Sequence, residues 1–345
     1  MLTQFISRKR VTVLAAFMAS ALSVGHAQAK VEEVHFLVPG GAGGGWDSTA
    51  RGIGEALSKS ELVDKVSYEN MSGGGGGKAI AYLIKTAEQS QDTLMVNSTP
   101  IIIRSLSNVF PQSFRDLTPV AATVGDFGAF VVSKDSPYHS FTELAEAYKK
   151  DPRSVSVAGG SARGSMDHLV AALAFKAAGG EPRKLKYLAY DAGGKAMAGL
   201  LSGETQVLST GLSEALSLAE AGEIRILAMT GDARSTAAPD VPTLKELGYD
   251  ATFVNWRGFF GAPGLSDEQA DEFADVLKKM YETKAWETVR DRYGWTEIYK
   301  PRKEFMAFLE QQEKEVGGLM RELGFLSNLQ RRTRMFCSPM RDLSG

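Results

Sequence analysis

The side chains best equipped for chemistry meet in residues 159–168, which read GGSARGSMDH. Ser161 and the adjacent Asp167–His168 pair could supply a nucleophile and a general base, as in a secreted α/β hydrolase or transferase. The spacing argues against that reading. Gly159-Gly160-Ser161-Ala162-Arg163 lacks the final glycine of the G-x-S-x-G elbow, so no strained nucleophile turn is specified. His168 lies at a helix start, where hydrogen bonding within the loop is a better reading than a role as base. Of the other histidines past residue 29, His35 sits inside an apolar strand and reads as structural, and His139 lies in a polar loop and reads as solvated. No histidine or carboxylate–histidine spacing suits a metal, and Cys337 is the sole cysteine, so no cofactor, metal or internal disulfide is expected.

A second stretch, VPGGAGGGWDSTARGIG at 38–54, carries bare backbone instead of reactive side chains. A glycine-rich turn between a strand and a helix suits an anion, because the backbone approaches closely and the first helical N–H groups point at the ligand. A dinucleotide fingerprint fails, since Gly41 and Gly43 are followed by Trp46 where the third glycine belongs. Gly74, Gly76 and Ala79 fit G-x-G-x-x-A, but after the second strand. A phosphate-binding P-loop fails too: Gly77-Lys78 is followed by Ala79, and Ser72 occupies the first glycine position. Capture of a carboxylate remains, with Gly43, Gly44 and Gly45 as the cradle, Trp46 as a wall, and Asp47, Ser48 and Thr49 capping the helix. The run Gly73 to Gly77 reads equally as a second such loop or as a surface turn.

Residues 155–173 repeat the strand–glycine–helix pattern, with Gly160, Ser161 and Ser165 leading to Asp167 and His168. Two such units suggest a ligand clamped between helix N-termini, at the carboxyl ends of strands. Other small polar loops expected there are NSTP at 97–100 with Asn97, YDAGGK at 190–195 with Tyr190 and Asp191, and STGLSE at 209–214 with Ser209 and Thr210.

The elements that must position these loops alternate. Strands are predicted at 34–38, 63–68, 93–96, 120–124, 129–133, 155–158, 185–189, 205–209, 224–229 and 252–260, with helical patterns between most of them. Ser140 with Glu143 and Ser266 with Gln269 make helix-start signatures. The alternation implies α/β layers with mainly parallel sheets flanked by helices. Ten strands are many for one sheet. Strands run together without a helix near Gly125 to Gly128 and again near 250–264, which reads as two crossings between lobes. Lobe 1 is then 30–127 plus about 253–326, with bracing C-terminal helices, and lobe 2 is 128–252.

The ends differ from this body. Arg8, Lys9 and Arg10 precede an apolar run at 11–24, and AQA at 27–29 offers small residues for cleavage near Ala29. That order describes a secretory leader over 1–29 and a periplasmic protein. Its loss removes three of the 39 basic residues and none of the 41 acidic ones, so the remainder is net acidic and unlike a nucleic-acid binder. The arginine-rich, aperiodic stretch 327–345 reads as a disordered tail.

Six pieces together carry a resemblance: GGGWDSTAR (43–51), GGSARGSMDH (159–168), YDAGGKAMAGLLSGE (190–204), RILAMT (225–230), PDVPTLKELG (239–248) and NWRGFFGAPG (255–264). In order over about residues 33–326, they resemble the periplasmic substrate-binding receptors of tripartite tricarboxylate transporters, the Bug-type receptors. The resemblance implies a two-lobed Venus-flytrap fold of the periplasmic-binding-protein kind. It implies no enzymatic activity. The ligand would be a small di- or tricarboxylate, gripped by the loops at 40–47 and 159–168 partly through ordered water. The GGGWD and NWR forms, the latter holding Trp256, look like the tricarboxylate-binding branch, whose ligands include citrate. Arg163 stands where the family often has a small residue, bringing a cation toward the ligand or toward solvent. The expected partners are the carboxylate and integral-membrane permease subunits, with the receptor a monomer. A receptor presenting its ligand to a membrane kinase instead of a permease would carry the same sequence features.

Overall fold

Apolar runs that end in glycine or polar turns become strands, and the amphipathic stretches between them become helices. The structure, a computed structural model, describes residues 31–326, so the expected leader and tail lie outside the described residues. The first part of the chain forms β1 (Val31–Val38), α1 (Gly45–Lys59), β2 (Val63–Asn70), α2 (Gly77–Lys85), β3 (Thr93–Ser98) and α3 (Pro100–Leu106). A long strand β4 (Thr118–Ser133) leads into α4 (Phe141–Lys150), β5 (Ser156–Gly159), α5 (Met166–Ala177), β6 (Lys186–Ala189) and α6 (Gly193–Leu201). Then come β7 (Val207–Gly211), α7 (Leu212–Glu220), β8 (Ile224–Met229) and β9 (Val254–Gly261). The chain closes with α8 (Asp267–Met280), α9 (Lys284–Tyr293), β10 (Thr296–Pro301) and α10 (Arg302–Glu322). Both expected helix starts form: Ser140 Oγ accepts from the Glu143 amide at 3.1 Å, and Ser266 Oγ from the Gln269 amide at 3.2 Å.

The strands run in the order β2-β1-β3-β9-β4-β7-β5-β6, and β8 and β10 also pair with β4. Among the described strands, parallel pairing between strands is confined to β1 with β2 and β3, and to β5 with β6 and β7. Every pairing of β4, β9 and β10 is antiparallel, so the sheet is mixed where mainly parallel pairing was expected. The two strands expected at 120–124 and 129–133 are one strand, β4, which changes partner midway. Its register with β9 ends at Phe127 opposite Val254, and its register with β7 begins at Gly128 opposite Gly211. Gly128 fits because a Cβ there would stand 3.0 Å from Val170 and 3.1 Å from Thr230, whose hydroxyl accepts the Gly128 amide at 2.8 Å. Strand β10 was not expected: its sequence TEIYKP is mostly polar, as suits a partly exposed strand.

The core comprises three apolar clusters. One joins β1 and α1 to α8 and α9, one joins β7 to α6 and α7, and the largest runs through β4, α4, α5 and α10. Helix α10 packs Phe305 against Trp256 and Phe260 of β9, with ring centroids 5.6 and 5.1 Å apart. Just past its other end, Phe325 meets the His168 ring edge-on at 4.8 Å.

Candidate functional site

A cavity of about 300 Å³ opens where the expected loops converge. Its walls are the turn before α1, the glycine turn before α2, the loop before α5 and the turn between β6 and α6, with Glu214, Asn255 and Arg257 contributing from elsewhere. The N-termini of α1, α5 and α6 therefore border one space, and each carries backbone N–H groups without helical partners. The glycines allow this convergence. A Cβ on Gly45 would collide with the Arg257 guanidinium and lie 2.7 Å from Glu214 Oε1, and a Cβ on Gly160 would overlap the Gly193 amide. One hydrogen bond links the α2 turn to the β6–α6 turn, Ser72 Oγ donating to Asp191 Oδ1 at 2.7 Å.

Buried charge lies at one end of the cavity. Arg257, 2% exposed, donates to the Gly45 carbonyl at 2.6 Å, Thr49 Oγ1 at 2.8 Å and Asp126 Oδ2 at 2.9 Å. Asp126 also accepts from the amide and hydroxyl of Ser213, at 3.1 and 2.6 Å. Burial raises its carboxyl above the usual range, against the pull of Arg257 and Ser213. Glu214 is raised by burial as well, opposed by Arg257, by the Thr210 hydroxyl 2.5 Å away and by the Gly45 amide. Burial pushes Asp167 up to about 7, and the Glu214 charge adds to the effect.

Gly44, Gly45, Trp46, Gly160, Ser161, Ser165, Asp167, Tyr190 and Asp191 of the expected set all line the cavity. Trp46 is held at the wall by its indole N–H, which donates to Ser98 Oγ at 2.8 Å. The others serve the loops from behind. The Gly43 amide donates to Asp47 Oδ2 at 3.0 Å, and the other Asp47 oxygen accepts from Arg51 and Asn70, so Asp47 ties its own turn. Asn97 is buried and accepts the Ser98 amide at 2.9 Å. Arg163 turns to the Tyr187 carbonyl at 2.9 Å. Ser209 donates to the Asp167 carbonyl at 2.9 Å and Thr210 to Glu214, each supporting a residue that does line the cavity.

His168 is turned inward. Its Nδ1 accepts the Gly164 amide at 3.0 Å, and its ring stacks on Tyr187 at 4.5 Å. Burial, aided by Arg163, lowers it to about 4, so the neutral imidazole props the loop and offers no base to the cavity. Trp256 was expected at the ligand and is instead 1% exposed in the core, between Phe305 and Phe308. Its neighbours Asn255 and Arg257 reach the cavity. The signal for them was present: successive residues of a strand face opposite sides, so a core tryptophan turns both flanking residues the other way. Ser72 and Gly73 to Gly76 line the cavity too, as a second glycine loop does and a free surface turn does not. Glu214 lay in the loop 209–214 already expected at the site but was not itself singled out.

Residues 49–325 match the family profile of the tripartite tricarboxylate transporter family receptor. The chain belongs to this family. It is a family of binding proteins of the periplasmic type, not of enzymes. Protein BugT of Bordetella pertussis is 26% identical over 296 residues, which cover 84% of this chain and 89% of BugT. Among solved structures, a Rhodopseudomonas palustris protein with adipate aligns with a TM-score of 0.76 at 22% identity, over 85% of this chain and 97% of that one. MatC of the same organism, with bound malate, aligns with a TM-score of 0.72 at 20% identity, over 86% of this chain and all of MatC. These likenesses give the receptor the periplasmic-binding-protein fold.

Proposed function

We propose that this receptor binds a small di- or tricarboxylate, citrate-like in size, between two lobes formed by 30–127 with about 253–326 and by 128–252. The leader would direct export and be cleaved near Ala29, and the loaded receptor would deliver its ligand to the permease subunits of a tripartite transporter. The observation that carries the reading is the cavity lining. Loops before α1 and α2 come from one stretch, and loops before α5 and α6 from the other. Helix-start N–H groups and glycine backbone are donors suited to carboxylate oxygens. A ligand meeting both sets of loops stabilises the closed arrangement, and this differential affinity drives closure. Malate and adipate, held by the two structural relatives, are small dicarboxylates.

The test is a thermal-shift screen of the mature chain against malate, adipate, citrate and matched uncharged analogues. A ligand that binds only the folded state at about 100 times its Kd adds roughly 2.7 kcal/mol. The expected result is a rise in Tm with at least one carboxylate and none with its amide or ester. A rise with the uncharged analogues alone, or with no member of the carboxylate set, would overturn the reading.

A further inference from the structure

The cavity has an acceptor-rich end, which is an odd partner for an anion. Asp167 and Glu214 both line it, and so does Asn255, whose Oδ1 is buried without a hydrogen-bond partner. Asp126 lies behind them, 1% exposed. The facing cation is Arg257, whose hydrogen bonds go to Asp126, Thr49 and the Gly45 carbonyl, so that it acts on Glu214 and Asp167 through its charge. A fully ionised ligand entering here would place its carboxylate beside two buried carboxylates, an arrangement that drives one of them to take up a proton.

We propose that the ligand enters together with one proton held by the Asp167–Glu214 pair, so that a neutral carboxyl at this end of the cavity donates a hydrogen bond to the ligand. This inference rests on the carboxylate reading above. The proton comes from solvent on binding and returns to it on release. No other group facing the pair is suited to carry it. On the Asp167 segment, Arg163 is turned to the Tyr187 carbonyl and His168 accepts the Gly164 amide. Tyr187 of β6 donates its phenol proton to the Ser161 carbonyl at 2.7 Å, and burial keeps that proton in place. Arg257 of β9 is a permanent cation. Asp126 of β4 is paired with Arg257 and Ser213. On the same wall, Asp191 accepts from Ser72 and Lys195, which hold its carboxyl low, and Tyr190 donates its phenol proton to Glu204. That leaves Glu214 of α7 and Asp167 of α5, which interact with each other and share the cavity wall.

The test is calorimetric titration of the mature receptor with malate and adipate, in buffers of differing ionisation enthalpy, from about pH 7 to about pH 9, where both probes are fully ionised. The expected result is proton uptake that rises from about half a proton per ligand near pH 7 to close to one at about pH 8 and above. Affinity should weaken roughly tenfold for each pH unit above the Asp167 value of about 7. Asp167→Asn or Glu214→Gln should keep the affinity at high pH and flatten the slope, since the amide replaces the protonated acid as a permanent donor. Binding with no proton uptake and a Kd constant over this range would overturn the inference and leave the carboxylate reading standing. No binding of either probe at any pH would remove the dicarboxylate reading and this inference with it.

Discussion

Arg257→Met removes the one buried cation that faces the carboxyl cluster, and the cost follows from what the guanidinium touches. Arg257 and Asp126 are 2% and 1% exposed, and the arginine makes three hydrogen bonds, to Asp126, Thr49 and the Gly45 carbonyl. Breaking a buried pair by deleting one partner costs about 3–5 kcal/mol, because the remaining charge is left in low dielectric. Loss of three hydrogen bonds, at about 1–1.5 kcal/mol each, independently gives roughly the same figure. Urea unfolding followed by tryptophan fluorescence should therefore show a loss of about 3–5 kcal/mol at neutral pH. The loss should depend on pH with a definite sign. Asp126 is already raised by burial, and without Arg257 it rises further. An acid whose folded value lies above its unfolded value contributes stability that is full below about pH 4 and is lost as pH rises through the folded value. The variant should thus recover toward the parent as the pH falls, and adding Asp126→Asn should restore part of the stability at neutral pH. A variant within about 1 kcal/mol of the parent at neutral pH, or a loss that deepens in acid, would refute this account of the cluster.

Two further outcomes follow from the geometry. Trp46 lines the cavity whereas Trp256 is sealed in the core, so a ligand-induced change in fluorescence should vanish in Trp46→Phe and persist in Trp256→Phe; the opposite pattern would move the ligand to the β9–α10 contact. Asp167 is an acid raised to about 7, so its contribution is present in acid and lost as pH rises through that value, whereas His168, a base lowered to about 4, stabilises near neutrality and its contribution is lost as pH falls through about 4. Ligand-free Asp167→Asn should accordingly melt above the parent at about pH 8 and close to it at about pH 4, and equal melting temperatures at both would show that Asp167 is not strained by burial.

Much of the protein was legible in its sequence because the relevant physics is local. Glycine-rich turns between strands and helices mark places where backbone must come close to something, and those turns do border the cavity. The caps at Ser140 and Ser266 form as their spacing predicts, since a cap involves only residues three apart. Six short pieces in order sufficed for the family, and the match over 49–325 agrees. What the tertiary structure alone decided concerns partners distant in sequence. The residues at 125–128 read as a break between strands, but a strand can continue while its neighbours change, and only the arrival of β9 and β7 on β4 shows where. For His168 hydrogen bonding within its own loop was the better reading and is what forms, with the Gly164 amide, but the Tyr187 and Phe325 rings that close over it come from far along the chain. Glu214 was not singled out within its loop, yet the fold brings its carboxylate against Gly45, near Arg257, where its charge also acts on Asp167. A buried carboxylate is tolerated or not according to the charges and amides gathered around it, and those come together only when the chain has folded.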